Sequence, residues 1–274
     1  MKKMTLEEVH QVSLEILKDI HEFCIDNGIK YSLSGGSLLG AIRHNGFIPW
    51  DDDIDIQMPR PEYERFIHSY KSKNGYGIYS RELDGCEDLK IAFARVCEME
   101  RTYVDMGLIP WKKGQTGVWV DVFPIDGAPS DEKLARKKID KMYFYWRLIG
   151  ISKGKNPIKY KSAKQLSLKI RLVFKKFLSK FIPNNLVVKY IAMSQEYSFE
   201  QSSYLANYST MHYKYREWQP KESMANYVLH KFENCDFYIM DGYKTSLTSL
   251  YGDYMTLPPK EKQVLCDVYK FYWR

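Results

Sequence analysis

The sequence predicts an α+β fold: a small mixed β-sheet flanked by helices, followed by a largely helical C-terminal part. Three observations support this prediction. Apolar residues near the N-terminus recur at three- and four-residue steps, as in an amphipathic helix. Several short segments between residues 29 and 123 alternate with period two, as half-buried strands do. Beyond about residue 130 the chain changes to long helical patterns rich in lysine and tyrosine.

The predicted elements follow in chain order. Thr5-Leu6-Glu7-Glu8 has the form of a capping box, so a first helix is expected from there to about Gly28. A strand at 29–33 then leads into a Gly-Gly-Ser turn at 35–37. The remaining predicted elements are a short helix at 38–42, a helix at 62–70, and strands at 53–58, 75–83, 89–96, 117–123 and 232–240.

Length and composition limit the class of protein. With 274 residues, 45% of them apolar and 27% charged, the chain can bury a sizeable core, which excludes a disordered protein. We expect a core over residues 1–130 and a mainly helical region over residues 131–274.

The sequence shows neither a secretory signal nor eighteen uninterrupted apolar residues, which predicts a cytoplasmic protein. Five scattered cysteines without a Cys-x-x-Cys pair indicate buried thiols.

The segment Asp53-Ile54-Asp55-Ile56-Gln57-Met58 is the most informative part of the sequence. In a strand, its alternation directs Asp53 and Asp55 to one face and the apolar side chains to the other. Neighbouring carboxylates repel unless a cation lies between them, and oxygen ligands suit Mg²⁺ or Mn²⁺. Asp51 has the same parity and is expected to join the metal ligands or support them. Asp52 is expected to face solvent or to cap.

A third carboxylate, Asp121, lies in the apolar segment Val118-Trp119-Val120-Asp121-Val122-Phe123. Burying a charged group there without a partner would be costly, and a metal shared with Asp53 and Asp55 removes that cost. The alternative is an edge-strand aspartate that faces water. In the metal interpretation, Asp53, Asp55 and Asp121 are the catalytic carboxylates, and Asp121 also helps to deprotonate the hydroxyl that accepts the transferred group.

A phosphate-binding segment is predicted just upstream of the aspartates. Gly35 and Gly36 allow close approach of a ligand, and Ser37 with the free amides of a helix N-terminus forms a cradle for a phosphate. Three basic residues are candidates for a diphosphate or another anionic group, although a surface ion pair is the alternative for each. They are Arg43 at the end of the short helix, and Lys90 and Arg95 on a neighbouring strand.

These motifs together resemble a known family. Ser34 to Arg43 and Phe47 to Ile56 look like the corresponding segments of the LicD family of phosphocholine transferases, which are similar to the fukutin-type sugar-phosphate transferases. Residues 118–126 and 251–259 fit the same family, whereas residues 130–230 carry no motif that matches it. The resemblance implies a nucleotidyltransferase-like core. Some fukutin-type relatives carry a zinc site, but the ligand spacing for one is not present here.

The resemblance also implies the substrates. The donor is expected to be CDP-choline or a similar CDP-alcohol. The acceptor is expected to be a sugar hydroxyl of a cell-surface glycan precursor such as teichoic acid or lipopolysaccharide, carried on a lipid, with release of CMP. Two alternatives remain at this point: a nucleotidyltransferase that uses a nucleoside triphosphate, and a non-catalytic protein that binds nucleic acid. No nucleic acid is expected as a partner, because a non-catalytic protein that binds nucleic acid has little use for aligned aspartates.

Two features of the C-terminal half bear on partners. Residues 141–195 contain thirteen lysines and arginines and no Asp or Glu, which predicts a surface for an anionic partner. A helix over 164–182 is predicted either to pack on the domain or to lie on an anionic membrane at its inner face.

Five aromatic residues are expected to form a cage for choline, an aromatic core or a sugar-stacking surface: Tyr204, Tyr208, Tyr213, Tyr215 and Trp218.

Overall fold

The fold was obtained as a computed structural model that describes residues 1–87, 89–105, 117–152, 182–183, 185–265 and 269–274. Its helices in chain order are α1 (Leu6–Asn27), α2 (Gly35–His44), α3 (Arg60–Ser69), α4 (Glu132–Ser152), α5 (Leu186–Ser194) and α6 (Tyr243–Tyr251). Three short 3₁₀ helices span Lys214–Glu217, Lys221–Met224 and Lys260–Lys262. Of the described helices, none is long and apolar enough to cross a membrane.

The strands form one large mixed sheet and two antiparallel pairs. Their bounds are β1 (Ser32–Leu33), β2 (Ile54–Pro59), β3 (Gly77–Tyr79), β4 (Ala94–Glu98), β5 (Thr102–Asp105), β6 (Val118–Ala128), β7 (Tyr204–Ala206), β8 (Gln219–Pro220), β9 (Tyr227–Phe232), β10 (Cys235–Met240) and β11 (Lys270–Trp273). The large sheet runs β1-β2-β6-β4-β3, and β7 joins β6 to β8. Among the described strands, only β2 and β6 pair in parallel, and their antiparallel neighbours make the sheet mixed, as predicted.

Helix α1 shows how local sequence specifies these elements. The Thr5 side chain accepts a hydrogen bond from the Glu8 backbone amide, while Glu8 accepts one from the Thr5 amide, so the predicted capping box is confirmed. The helix ends where Gly28 adopts a left-handed conformation, with φ of +60°. Its apolar face, which includes Ile16 and Ile20, is fully buried in the main core.

Strand β6 lies at the centre of the main sheet and all eleven of its residues are buried. This explains its long apolar run, because a strand covered on both faces does not alternate between water and core. A second, smaller apolar cluster joins α4, α5 and the segment around Tyr208, and it packs beside the far end of β6 through Ala128.

Several predicted elements differ from the structure. The predicted strands at 29–33 and 75–83 shorten to β1 and β3, and the strand at 89–96 begins only at Ala94. The predicted strand at 232–240 begins only at Cys235, as β10, because Glu233 adopts a positive φ of 56° in the turn that joins β10 to β9. Sequence periodicity alone does not mark such a reversal.

In the described part of the C-terminal region, strands β7 to β11 accompany the helices. Two of these strands return to the N-terminal part: β7 pairs with β6, and β11 pairs with β5. This pairing is long-range, so it leaves no local pattern in the sequence. The division at residue 130 into two units stays a prediction, and the predicted helix at 164–182 lies outside the described residues.

Candidate active site

The three predicted carboxylates meet on neighbouring strands. In the parallel pairing of β2 with β6, Asp55 lies directly opposite Asp121, and in the antiparallel pairing of β6 with β4, Asp121 lies opposite Arg95. Asp53 immediately precedes β2. Carboxylate oxygens of Asp53, Asp55 and Asp121 all lie within 4.8 Å of one another. The sheet register therefore brings together residues that are almost seventy positions apart in the sequence.

Burial and repulsion make this cluster electrostatically unfavourable when all three groups are ionised. Burial, followed by the charges of their neighbours, raises the pKa of Asp53 and Asp55 well above the usual range of a carboxyl. Burial also raises the pKa of Asp121, although the Arg95 guanidinium opposes that change. Arg95 donates from Nε to Oδ1 and from a terminal nitrogen to Oδ2 of Asp121, at 2.5 and 3.1 Å.

These residues fit a hard divalent cation. Three carboxylates converge, a single arginine binds one of them, and hard oxygen donors are the ligands that Mg²⁺ and Mn²⁺ prefer. The bond from Arg95 does not exclude a cation at Asp121, because each carboxylate oxygen has a further lone pair. Asp53 also belongs to a second group of converging oxygens, with Asp51 and Asp52.

The structure revises the expected arrangement of Asp51 and Asp52. Strand β2 begins at Ile54, so Asp51 to Asp53 precede the strand and their parity does not set their direction. Asp51 nevertheless lies beside Asp53 and lines the same cavity. The prediction that Asp52 faces solvent or caps is wrong on the first point: it is 8% exposed, and burial, with the charge of Asp51, raises its pKa to about 6.

The predicted Gly-Gly-Ser turn is itself the first turn of α2, which begins at Gly35 rather than after the turn. A side chain at Gly35 would lie 3.2 Å from a carboxylate oxygen of Asp55, and one at Gly36 would overlap the Asp51 carboxylate. Glycine therefore lets the aspartates approach the helix N-terminus, which favours negative charge. The Ser37 hydroxyl accepts a hydrogen bond from the backbone amide of Asp55 at 2.9 Å and so fixes the start of β2.

The three predicted basic residues lie in different surroundings. Arg43 is in the last turn of α2, donates to the backbone carbonyl of Tyr254 at 2.9 Å, and lines a cavity with Asp53 and Asp55. Arg95 orients Asp121, as described above. Lys90 is not on the predicted strand: it lies in the segment before β4 and is not among the residues that line either cavity beside the aspartates.

Two cavities flank the aspartate cluster. The first, of about 720 Å³, is lined by Arg43, Trp50, Asp51 and the segment from Tyr251 to Pro259. The second, of about 400 Å³, is lined by Arg95, Asp121 and a wall that includes six aromatic residues. Asp53, Asp55 and Tyr213 line both. A group bound at the carboxylates would therefore have room on either side, as a two-substrate reaction requires.

Four of the five aromatic residues expected to cage choline belong to the packing of the fold. Tyr204 and Trp218 stack on each other with ring centroids 4.3 Å apart, Tyr208 is fully buried, and the Tyr215 hydroxyl donates to Asp140. These contacts support the aromatic-core alternative for that group. Tyr213 is the exception, because it lines both cavities and donates a hydrogen bond to the Tyr251 hydroxyl at 3.3 Å.

Sequence reasoning missed part of the second cavity. Glu217 ends the 3₁₀ helix Lys214–Glu217, Trp146 projects from α4, and Tyr269 precedes β11. None of them lies in a motif or shows a spacing that points to the aspartates. Tyr251 was within reach of the sequence, since it begins the late segment that resembles the LicD family.

Two comparisons with known proteins identify the family of this chain. A family model described as the LicD/FKTN/FKRP nucleotidyltransferase domain matches residues 28–127, which contain the three carboxylates. Over 268 residues the chain is 34% identical to the lipopolysaccharide cholinephosphotransferase LicD of Haemophilus influenzae, and the match covers 96% of each protein. This chain belongs to the LicD family. The resemblance inferred from the sequence motifs is thereby confirmed.

The LicD-family match extends to a eukaryotic relative. Over 90 residues the chain is 36% identical to human ribitol 5-phosphate transferase FKRP, a match that covers 33% of this chain and 13% of FKRP. The two relatives bear names of transferases for different alcohol phosphates. The shared segment is short in the second case, so the likeness to FKRP concerns a part of this LicD-family protein.

Proposed function

We propose that this chain is a phosphocholine transferase, which moves phosphocholine or a similar alcohol phosphate from a CDP-alcohol such as CDP-choline to a sugar hydroxyl and releases CMP. The likeness to a cholinephosphotransferase along 96% of both proteins carries this proposal. The convergence of Asp53, Asp55 and Asp121 supports it, because phosphoryl transfer depends on groups that stabilise charge on a diphosphate.

In the proposed mechanism the three carboxylates hold the reacting groups in place. Mg²⁺ or Mn²⁺ bound by Asp53, Asp55 and Asp121, with Asp51 beside them, would act as a Lewis acid on the diphosphate. Asp121 accepts the proton of the attacking hydroxyl, and Arg95 keeps its carboxylate oriented. The nucleotide side of the diphosphate lies toward Arg43 and the N-terminal amides of α2.

The proposed acceptor is a glycan precursor on a lipid carrier, such as a teichoic acid or lipopolysaccharide precursor, at the inner face of the membrane. The basic composition of residues 141–195 supports this part of the proposal, because lysines near an anionic membrane each add about 1 kcal/mol of attraction. Charge reversal of Lys169, Lys175, Lys176 and Lys180 should release the protein from anionic vesicles and spare transfer to a short soluble acceptor. Equal loss on soluble and lipid-linked acceptors would contradict the membrane role.

The deciding experiment incubates the purified protein and Mg²⁺ with labelled CDP-choline or with labelled nucleoside triphosphates, in each case with glycan acceptors. The proposal expects CMP release and labelled glycan from CDP-choline, and no product from the triphosphates. A parallel series with CDP-ethanolamine, CDP-glycerol and CDP-ribitol ranks the alcohols. Transfer of a nucleoside monophosphate with release of diphosphate would establish the nucleotidyltransferase alternative instead.

A further inference from the structure

The smaller of the two cavities has an unusual wall for a site that handles phosphates. On one side are Asp53, Asp55 and Asp121, and six of the other lining residues are aromatic. The aromatic lining residues are Phe93, Trp119, Phe123, Trp146, Tyr213 and Tyr269. A volume of about 400 Å³ lies near the lower end of the range for small-molecule sites, ~300–1,000 Å³, and suits a short alcohol phosphate better than a whole nucleotide.

Glu217 is the acidic residue of this wall that the proposed mechanism does not use. Its carboxylate accepts no hydrogen bond and forms no ion pair within the part of the chain that the structure describes. Burial raises the pKa of this carboxyl to about 8. An ionised carboxylate in such surroundings is unfavourable without a positive partner, so a cationic ligand in the cavity would be strongly attracted to it.

Two other polar side chains of the cavity, Asn207 and Arg95, are engaged in the fold. The Asn207 side-chain oxygen accepts hydrogen bonds from the amide and the hydroxyl of Ser209, at 2.9 and 2.5 Å. Arg95 is bound to Asp121, which offsets its charge. A polyol arm such as ribitol would need several donors and acceptors around it, whereas aromatic faces attract a cation that has no hydrogen-bond donor.

We propose that this cavity binds the quaternary ammonium head of the transferred phosphocholine, with Glu217 as its counter-charge and the rings of Trp146 and Tyr213 as its walls. The inference rests on the proposed phosphocholine transfer and makes it specific for a cationic alcohol. It also orients the donor: the phosphate lies at the aspartates, the choline arm points into the aromatic cavity, and the larger cavity beside Arg43 remains for the nucleotide.

The first experiment compares CDP-choline with its neutral isostere, in which carbon replaces the ammonium nitrogen (CDP-3,3-dimethylbutanol). The wild-type protein should prefer the cationic donor by at least about tenfold in kcat/KM, because the Glu217 charge acts on the cation alone. Glu217→Gln should reduce that preference to about threefold or less, and kcat/KM should fall more for CDP-choline than for the neutral donor. Glu222→Gln, which alters an exposed carboxylate in a different cavity, is the matched control and should keep the wild-type preference.

The outcomes are decisive in both directions. Equal loss of activity on both donors in Glu217→Gln would overturn the inference and assign the residue to structure or proton transfer. A wild-type protein that uses both donors equally would also overturn it, while phosphocholine transfer itself would stand. Trp146→Leu provides a second variant, in case the first does not fold, and should raise the KM for CDP-choline more than that for the neutral donor.

Equilibrium binding separates this inference from the proposed function. Phosphocholine is titrated into the Mg²⁺-loaded protein and followed by calorimetry, with glycerol phosphate as the neutral-arm comparison. Binding of phosphocholine that is weakened in Glu217→Gln would support the ammonium site even if no transfer to a glycan were detected. Equal affinity for the two alcohol phosphates would overturn it.

Discussion

Strand β6 carries two buried aspartates, and each is bound by an arginine. Asp121 pairs with Arg95, and five residues further on Asp126 accepts hydrogen bonds from Nε and a terminal nitrogen of Arg60, at 2.7 and 2.9 Å. Both aspartates are at most 5% exposed. The two ends of one strand therefore contain the same pair of side chains in similar burial.

The surroundings of the two pairs differ. Around Arg60 every carboxylate has a donor: Glu64 and Glu82 bind the guanidinium at 3.2 and 3.3 Å, and Glu82 also accepts a hydrogen bond from Tyr63. Around Arg95, Asp53 and Asp55 receive no bond from a basic side chain in the described part of the chain. This difference teaches that buried charge is common to both ends of the strand, whereas buried carboxylates without a basic partner distinguish the proposed site.

The largest expected effect is on catalysis and concerns Asp53 and Asp55, the two carboxylates without a basic partner. Asp53→Asn or Asp55→Asn should reduce kcat by about 10³-fold or more, an increase of about 4 kcal/mol in the barrier, because each removes a cation ligand. Removing one of several repelling carboxylates should leave the melting temperature unchanged or slightly higher. Steady-state kinetics and thermal melts measure both, and a variant that keeps more than about a tenth of the wild-type rate at saturating Mg²⁺ contradicts an essential ligand role.

The cluster of Arg60 with its carboxylate partners Glu64, Glu82 and Asp126 should respond in the opposite way. Asp126→Asn leaves Arg60 buried with less compensation and should lower the free energy of unfolding by about 3 kcal/mol, with kcat per folded molecule changed less than about threefold. Urea denaturation beside active-site titration provides the test. As a control, the double variant Arg60→Met with Asp126→Leu should recover part of the lost stability, and a large loss of kcat in Asp126→Asn would erase the distinction between the two clusters.

Asp121 belongs to both descriptions, since it has an arginine partner and also lies at the proposed reacting centre. We expect Asp121→Asn to reduce kcat by about 10²-fold, or about 2.7 kcal/mol, with little change in the KM for the donor, because a proton acceptor acts mainly in the transition state. Initial-rate measurements over a range of donor concentrations separate the two parameters. A raised KM with unchanged kcat would reassign Asp121 to donor binding.

A cation bound at Asp53 and Asp55 should stabilise the folded protein measurably. At a Mg²⁺ concentration of ten times its Kd, binding should add about 1.4 kcal/mol to stability and raise the melting temperature by about 2–4 °C. The rise should be absent in Asp53→Asn and intact in the control variant Glu222→Gln. Equal stabilisation of the wild type and Asp53→Asn would show that Mg²⁺ binds elsewhere.

The last expected effect depends on pH and concerns Glu217, a further carboxylate without a described partner. Its pKa is about 8 in the folded protein against 4.5 for an ordinary Glu, so between those values the folded state binds more protons and loses stability as pH rises. Glu217→Gln removes this loss. The melting temperature of the variant minus that of the wild type should therefore grow from pH 5 to pH 8 and change little above that, and a constant difference would show that Glu217 has the pKa of an ordinary carboxyl in the folded protein.

Much of the site was predictable from short-range patterns. The alternation of Asp53-Ile54-Asp55-Ile56 and the apolar run around Asp121 indicate carboxylates on strands, because side-chain direction in a strand depends on parity alone. The capping box at Thr5 fixed the start of α1 in the same local way. The motifs also predicted the family, which the comparisons confirmed.

The tertiary structure decided which residues meet. Pairing of β2, β6 and β4 places Asp55, Asp121 and Arg95 side by side, and that register depends on the packing of whole strands rather than on neighbouring residues. The same holds for Glu217, which reaches the cavity from a segment more than ninety residues beyond Asp121. The sequence by itself determined which chemical groups the protein has on its strands, whereas the fold decided which of them have partners, because burial and pairing are properties of the packed chain.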